Sequence, residues 1–251
     1  MSGEGLAQFT RAKRRVLPLI ILLDASGSMN EIIDERGMVR TGQTIFMDGR
    51  EWEVVTGGRS KLQITNDAMR VMIEAFGTVD RADVQVSVIA FGGSGPARVH
   101  LPLESSGKVQ WQDYQADGDT PMGSAFQLAK QLMEDRSTIP SDAYRPTIVL
   151  ISDGMPTDAN WEASLQALIG DGRSKKAARM ALGIGTADRR MLEKFLGEKN
   201  RDYLFEADQA AGMIRFFNFL TMSTAQRTNS AKPDEIPKPN EIPKPEDIDE
   251  F

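Results

Sequence analysis

The chain of 251 residues is 40% hydrophobic, carries no cysteine and one histidine, and has a formal net charge of −6. That length and apolar content suit one large α/β domain with its own core, while the missing cysteines exclude disulfides and thiolate zinc sites and the lone histidine excludes a multi-histidine metal centre. Residues 232–251 hold three lysines against seven acids, and the remainder holds 27 basic against 29 acidic residues, so no basic face marks the chain for nucleic acid.

Arg11-Ala12-Lys13-Arg14-Arg15 followed by eight mostly apolar residues has the order of a secretory leader, but the run ends in Asp24 without the usual small-residue cleavage pattern. It is also shorter than the about 20 residues that span a bilayer as a helix. The expectation is a short lead over 1–14, no targeting or membrane segment, and a cytoplasmic protein.

Residues 16–23 are apolar, rich in β-branched side chains and bounded by polar residues, which predicts a buried strand. Residues 30–58 read as an insertion carrying a hairpin, because 44–47 and 50–55 flank Asp48-Gly49, a strong two-residue turn signal. Gly57-Gly58 ends the hairpin. A helix follows from its cap Ser60, with Leu62, Ile64, Ala68, Val71, Met72 and Phe76 near helical spacing. A strand at 84–91 comes next, then a short antiparallel edge strand at 97–103 that holds His100. The loop Asp117-Gly118-Asp119-Thr120-Pro121-Met122 leads into a helix through Phe126, Leu128, Ala129 and Met133, with Pro121 suiting its first turn.

A second fully apolar strand spans 146–152 and ends in Asp153-Gly154. Beyond it the pattern predicts a helix near 161–169, a strand near 178–184, a helix near 189–196, a short strand at 203–205 and a last helix through Met213, Phe216, Phe217 and Leu220. The alternation predicts an α/β fold over 15–227. Its sheet is doubly wound, Rossmann-like and mostly parallel, with one antiparallel edge strand and helices on both faces.

From 228 to 251 the character changes. Asp234-Glu235-Ile236-Pro237-Lys238-Pro239 is nearly repeated as Asn240-Glu241-Ile242-Pro243-Lys244-Pro245 before an acidic end. Prolines so spaced forbid helix and favour extended polyproline conformation, so a disordered acidic tail is expected. It serves as a solvated tail or as a docking peptide, and one of its carboxylates could reach a metal site of its own or a neighbouring molecule.

Asp24-Ala25-Ser26-Gly27-Ser28 delivers an acid and two hydroxyls to the tip of the first strand. Hard oxygen donors with no thiol or imidazole nearby suit a magnesium-sized cation. In a doubly wound sheet ligands bind beyond the carboxyl ends of strands where the order reverses, which places Asp153 and the Thr120 loop on the same rim. Asp24, Ser26, Ser28, Thr120 and Asp153 are therefore the candidate metal residues. Asp119 and Asp158 lie near, and helix capping accounts for both.

Asp24-x-Ser26-x-Ser28, Thr120 in a Gly-x-Thr-Pro-Met-Gly loop and Ser152-Asp153-Gly154 together resemble a von Willebrand factor A (VWA) domain over roughly residues 15–222. Asp119-Thr120-Pro121-Met122-Gly123 and Ile151-Ser152-Asp153-Gly154-Met155-Pro156-Thr157-Asp158 look most like its bacterial TerY-like branch, linked to tellurium resistance. The resemblance implies a MIDAS-type site in which Ser26 and Ser28 bind Mg²⁺ directly, with Mn²⁺ or Ca²⁺ as substitutes. Asp24 and Asp153 would act through water or hydrogen bonds, and Thr120 directly or through water. It implies a protein partner that completes the shell with an Asp or Glu, and, for the branch, a protein kinase and a metal-dependent protein phosphatase in stress signalling. The stretch from Ser28 to the first helix is the main departure from the family, and Trp52 within it is either an interface anchor or packed against the domain.

Two rivals remain. A haloacid-dehalogenase-like phosphatase would use Asp24 as nucleophile, but that chemistry wants a second acid two residues on, where this chain has Ser26. Gly57-Gly58-Arg59-Ser60-Lys61 is not a phosphate-binding loop of the Gly-x-x-x-x-Gly-Lys-Ser/Thr form. No catalysis, nucleic acid or membrane is expected. The other rival is a metal-free scaffold working through hairpin and tail.

Overall fold

The structure, a computed structural model, describes residues 14–47 and 49–241. In chain order the strands are β1 (Val16–Asp24), β2 (Ile32–Asp34), β3 (Val39–Met47), β4 (Arg50–Thr56), β5 (Arg59–Ser60), β6 (Asp83–Phe91), β7 (Arg98–Ser105), β8 (Thr147–Ser152), β9 (Ala178–Ile184) and β10 (Leu204–Ala207). The helices are α1 (Lys61–Gly77), α2 (Met122–Glu134), α3 (Trp161–Gly170), α4 (Arg189–Leu196) and α5 (Ala210–Asn229).

All nine residues of β1 are buried, which is why its sequence is a continuous apolar run rather than an alternation. The main sheet has the order β10-β9-β8-β1-β6-β7; β7 is its antiparallel edge and the other pairings are parallel. Successive side chains of β1 point to opposite faces. Leu17, Leu19, Ile21 and Leu23 pack with α1 and α5 on one face, while Ile20 and Leu22 pack with α2, α3 and α4 on the other. The expected doubly wound sheet is the fold observed.

The hairpin forms as its turn signal predicts, with Met47 opposite Arg50, but β3 begins earlier, at Val39. Asp48 lies outside the described residues. Ile32 of β2 pairs with Ser60 of β5, so the insertion leaves and rejoins the domain at neighbouring points beside the first loop. His100 lies on β7, as expected, with its ring against Trp111 and Tyr114 and Nε2 2.8 Å from the Gln112 carbonyl. Trp161 packs against the core beside α4, under the Lys194 ammonium.

α5 is longer than its apolar pattern suggests. Its last turns bury Ser223, Thr224, Arg227 and Thr228, polar residues that carry no hydrophobic period. Residues 230–241, expected above to belong to a disordered tail over 228–251, lie against the domain at the amino end of β8. Arg227 Nε donates to the Pro233 carbonyl at 2.8 Å, the Arg145 amide donates to Asp234 Oδ1 at 2.7 Å, and Tyr203 Oη donates to the Ile236 carbonyl at 2.8 Å. A single 3-10 turn follows at Pro239–Glu241. The contacts are backbone carbonyls and one acid, which the proline pattern leaves free to accept. Residues 1–13 and 242–251, which include the lead up to Lys13 and the second repeat from Ile242 on, lie outside the described residues. No helix among the described residues is long and apolar enough to cross a membrane.

Candidate metal centre

From β1 the chain proceeds through β6 and β7 to one side and through β8, β9 and β10 to the other. The order therefore reverses between β1 and β8, the place where open α/β sheets bind ligands beyond their carboxyl ends. Leu23 is level with Ile151 across this pair, so Asp24 and Ser152 end neighbouring strands side by side.

Asp24 is fully buried. Its Oδ1 accepts from the Ser26 amide at 2.8 Å and its Oδ2 accepts from Ser152 Oγ at 2.5 Å. A short 3-10 turn over Gly27–Asn30 then brings Ser28 back, so that the Ser26 and Ser28 hydroxyls stand 3.1 Å apart. Ser28 Oγ donates to Asp153 Oδ1 at 2.8 Å, and Asp153 is itself buried. Four of the five candidate residues thus form one contiguous group.

Thr120 enters from the third loop, tied to the other two by backbone contacts. The Gly27 amide donates to the Gly118 carbonyl at 3.0 Å, and the Thr157 amide donates to the Thr120 carbonyl at 3.0 Å. The Thr120 amide donates to Thr157 Oγ1 at 3.1 Å. Its own hydroxyl makes no hydrogen bond among the described residues and faces Gly154, 3.7 Å from where a Cβ would stand. Asp158, as expected, is a cap, accepting from the Gly123 and Ser124 amides at the start of α2 at 3.0 and 2.9 Å. Asp119 is exposed and the α2 cap carries no side-chain bond from it, so the capping role expected for it is not seen.

No role was assigned from the sequence to Ser152, Lys61 or Glu31. Ser152 holds Asp24 as described. Lys61, the first residue of α1, is buried, and its Nζ donates to Asp153 Oδ2 at 2.7 Å and to Glu31 Oε2 at 2.5 Å. A capping box fixes its position: Ser60 Oγ accepts from the Gln63 amide at 3.2 Å while Gln63 Oε1 accepts from the Ser60 amide at 2.9 Å. A signal existed in the sequence. A lysine directly after a helix cap sits against the positive end of the helix dipole and needs acids to hold it there.

The pocket's charge is unbalanced. Burial, and then the neighbouring Asp153, push the Asp24 carboxyl up to about 6, against hydrogen bonds from Ser152 and Ser26 that pull it down. Burial pulls the Lys61 ammonium down, but Asp153 and Glu31 outweigh it and leave its pKa raised. Of the two buried carboxylates, Asp153 pairs with the buried Lys61 ammonium, while Asp24 is held by the Ser26 amide and the Ser152 hydroxyl. No group of three or more His, Cys, Asp or Glu side chains that could hold a metal ion occurs among the described residues, and the oxygens grouped at the pocket are those of Asp24, Ser26, Ser28 and Asp153. That donor set fits a hard divalent cation, and the Lys61 ammonium on Asp153 marks where positive charge is wanted.

These features define a class, an open α/β sheet with an oxygen-lined pocket at its switch point. The family model of the von Willebrand factor type A domain matches residues 19–155, and the chain belongs to that family of metal-dependent protein-interaction modules. Among solved structures it is similar to proximal thread matrix protein 1 (PTMP1) from the mussel byssus with a zinc-occupied MIDAS motif, at 14% identity and a TM-score of 0.55 over 84% of this chain and 48% of that one. It is also similar to the von Willebrand factor type A protein from Catenulispora acidiphila (21% identity, TM-score 0.52, 84% and 42% covered). A third is the ArnB paralog VWA2 from Sulfolobus acidocaldarius (14% identity, TM-score 0.52, 84% and 46% covered). At these identities the likeness is one of fold, and the chain spans less than half the length of each of the three. No curated protein sequence matches.

Proposed function

We propose that the chain is a Mg²⁺-dependent, non-catalytic protein-binding module that recruits an aspartate or glutamate of its partner at an open metal position. The observation that carries this reading is the contact chain Ser26–Ser28–Asp153, with buried Asp24 beside it, at the switch point of the sheet. Ser26 and Ser28 would hold the metal directly, Asp24 and Asp153 through water or hydrogen bonds, and Thr120 directly or through water. When bound, the ion supplies an electrophilic position that an incoming carboxylate oxygen fills. The neutral hydroxyls leave that electrophilicity undiminished, and the two carboxylates behind them supply the attraction. Mn²⁺ and Ca²⁺ suit the same oxygen donors.

The groove beside the pocket supports a partner larger than one side chain. It measures about 290 Å³ and is lined by Asn30, Glu31, Ile32, Met38, Trp52 and Val55, from the serine loop and the hairpin. The Asp119–Gly123 and Ile151–Asp158 motifs support the TerY-like branch, a cytoplasmic setting in bacterial stress signalling, and partners of the kinase and metal-dependent phosphatase classes, with neither nucleic acid nor membrane involved. The domain would span 15–227.

One contact favours the metal-free scaffold as a second reading: Lys61 already supplies Asp153 with a positive charge. Affinity capture with and without chelator tests the choice. Loss of the bound protein in chelator supports metal-dependent recruitment, and identical capture in both supports the scaffold. A Mg²⁺-dependent phosphatase activity abolished by Asp24→Asn would overturn both.

A further inference from the structure

We propose that Lys61 is a tethered competitor for the metal: its ammonium holds Asp153 while the metal is absent and yields that carboxylate, keeping Glu31, when the metal arrives. The inference rests on the metal reading above.

The geometry makes Lys61 more than an incidental ion pair. Its side chain is 7% exposed and Asp153 is 0% exposed, whereas Glu31 is 40% exposed. The ammonium thus bridges a buried acid of the pocket and an acid at its rim. It cannot drift far, because the capping box fixes its backbone and its amide donates to the Glu31 carbonyl at 3.0 Å. The Thr65 hydroxyl adds a further anchor, donating to the Lys61 carbonyl at 2.8 Å. A buried cation on a buried anion is costly to expose unpaired, so the ammonium keeps the pocket folded without metal. The same charge repels a divalent cation placed against Asp153, across a medium that screens poorly.

The two acids on Lys61 therefore act in opposite directions on metal binding. Asp153 holds the lysine in the pocket. Glu31 offers it a place at the rim, so that the pocket carboxylate can be released without stranding the ammonium. Glu31 also belongs to the groove beside the hairpin, so a partner that contacts Glu31 would alter how readily Lys61 withdraws.

The test is calorimetric titration of Mg²⁺ and Mn²⁺ into the full chain and its variants, with thermal melting in chelator as a second readout. Lys61→Met is expected to bind either ion about tenfold more tightly or better, and to melt lower in chelator but not in saturating metal. Glu31→Gln, which leaves the buried lysine in place, is expected to bind about threefold more weakly or worse. Should Lys61→Met fail to fold in chelator, refolding in excess metal and the Glu31→Gln affinity decide the matter. Wild-type binding with Lys61→Met equal or weaker overturns this inference and leaves the metal reading standing. Binding by Lys61→Met but not by wild type supports the competitor and overturns metal-dependent function in the native chain. Binding by neither overturns both.

Discussion

Arg227 gives the sharpest test of how the fold is closed below the sheet. It is 2% exposed. Its Nη1 donates to Thr147 Oγ1 at 2.7 Å, its Nη2 to the Arg145 carbonyl at 2.8 Å, and its Nε to the Pro233 carbonyl at 2.8 Å. Burial pulls its pKa down to about 10, so it is charged at neutral pH. Three hydrogen bonds from a charged donor are worth about 1.5–3 kcal/mol each, or about 5–9 kcal/mol together before the cost of burying the guanidinium. That desolvation, several kcal/mol, offsets part of the sum. Arg227→Met should therefore lose about 2–4 kcal/mol, measured by urea unfolding, and lower Tm by about 4–16 °C. Hydrogen exchange should quicken first at residues 230–241, while β1 stays protected. A loss below about 1 kcal/mol, or exchange unchanged in that segment, would refute the assignment of Arg227 as the clasp between α5, β8 and the chain beyond.

Two further predictions concern the loops and the acid limb. At Gly92 an added Cβ would stand 2.0 Å from the Ala25 carbonyl oxygen, so Gly92→Ala should cost about 1–3 kcal/mol in thermal or urea unfolding and weaken metal binding by shifting the Asp24–Ser28 loop. At Glu134 burial raises the carboxyl, but amides of Arg173 and Ser174 and the Lys130 ammonium outweigh it and bring it down to about 2 from an ordinary 4.5. Because the folded-state value is depressed, ionised Glu134 stabilises the fold above about pH 4.5 and loses that effect as pH falls towards 2. Glu134→Gln should thus be less stable than wild type at pH 7, with the gap closing in urea melts at progressively lower pH.

What was legible in the sequence was local. The β1 run, the Asp48-Gly49 turn signal and the Ser60 cap each announce themselves within a few residues, because strand burial, turn dihedrals and capping are short-range demands. The neighbourhood of Asp24 and Asp153 could be reasoned from topology, since two fully apolar strands in a doubly wound sheet are both central. Lys61 was not read because its partners, Glu31 and Asp153, are 30 and 92 residues away. Only the oddity of a lysine at a helix start points to them. The last turns of α5 were missed for a related reason: Ser223, Thr224, Arg227 and Thr228 are buried polar residues outside any hydrophobic stripe. Polar burial leaves no period to count.

The central claim is that Ser26 and Ser28, backed by Asp24 and Asp153, hold a divalent cation. Its most direct test is calorimetric titration of Mg²⁺ and Mn²⁺ into the full chain, with zinc as a competitor, alongside Asp24→Ala, Ser26→Ala and a control substitution at exposed Val71. Wild type and the Val71 control should bind one ion per chain, and either pocket change should weaken binding at least about tenfold. Equal affinity in wild type and both pocket variants would contradict the claim.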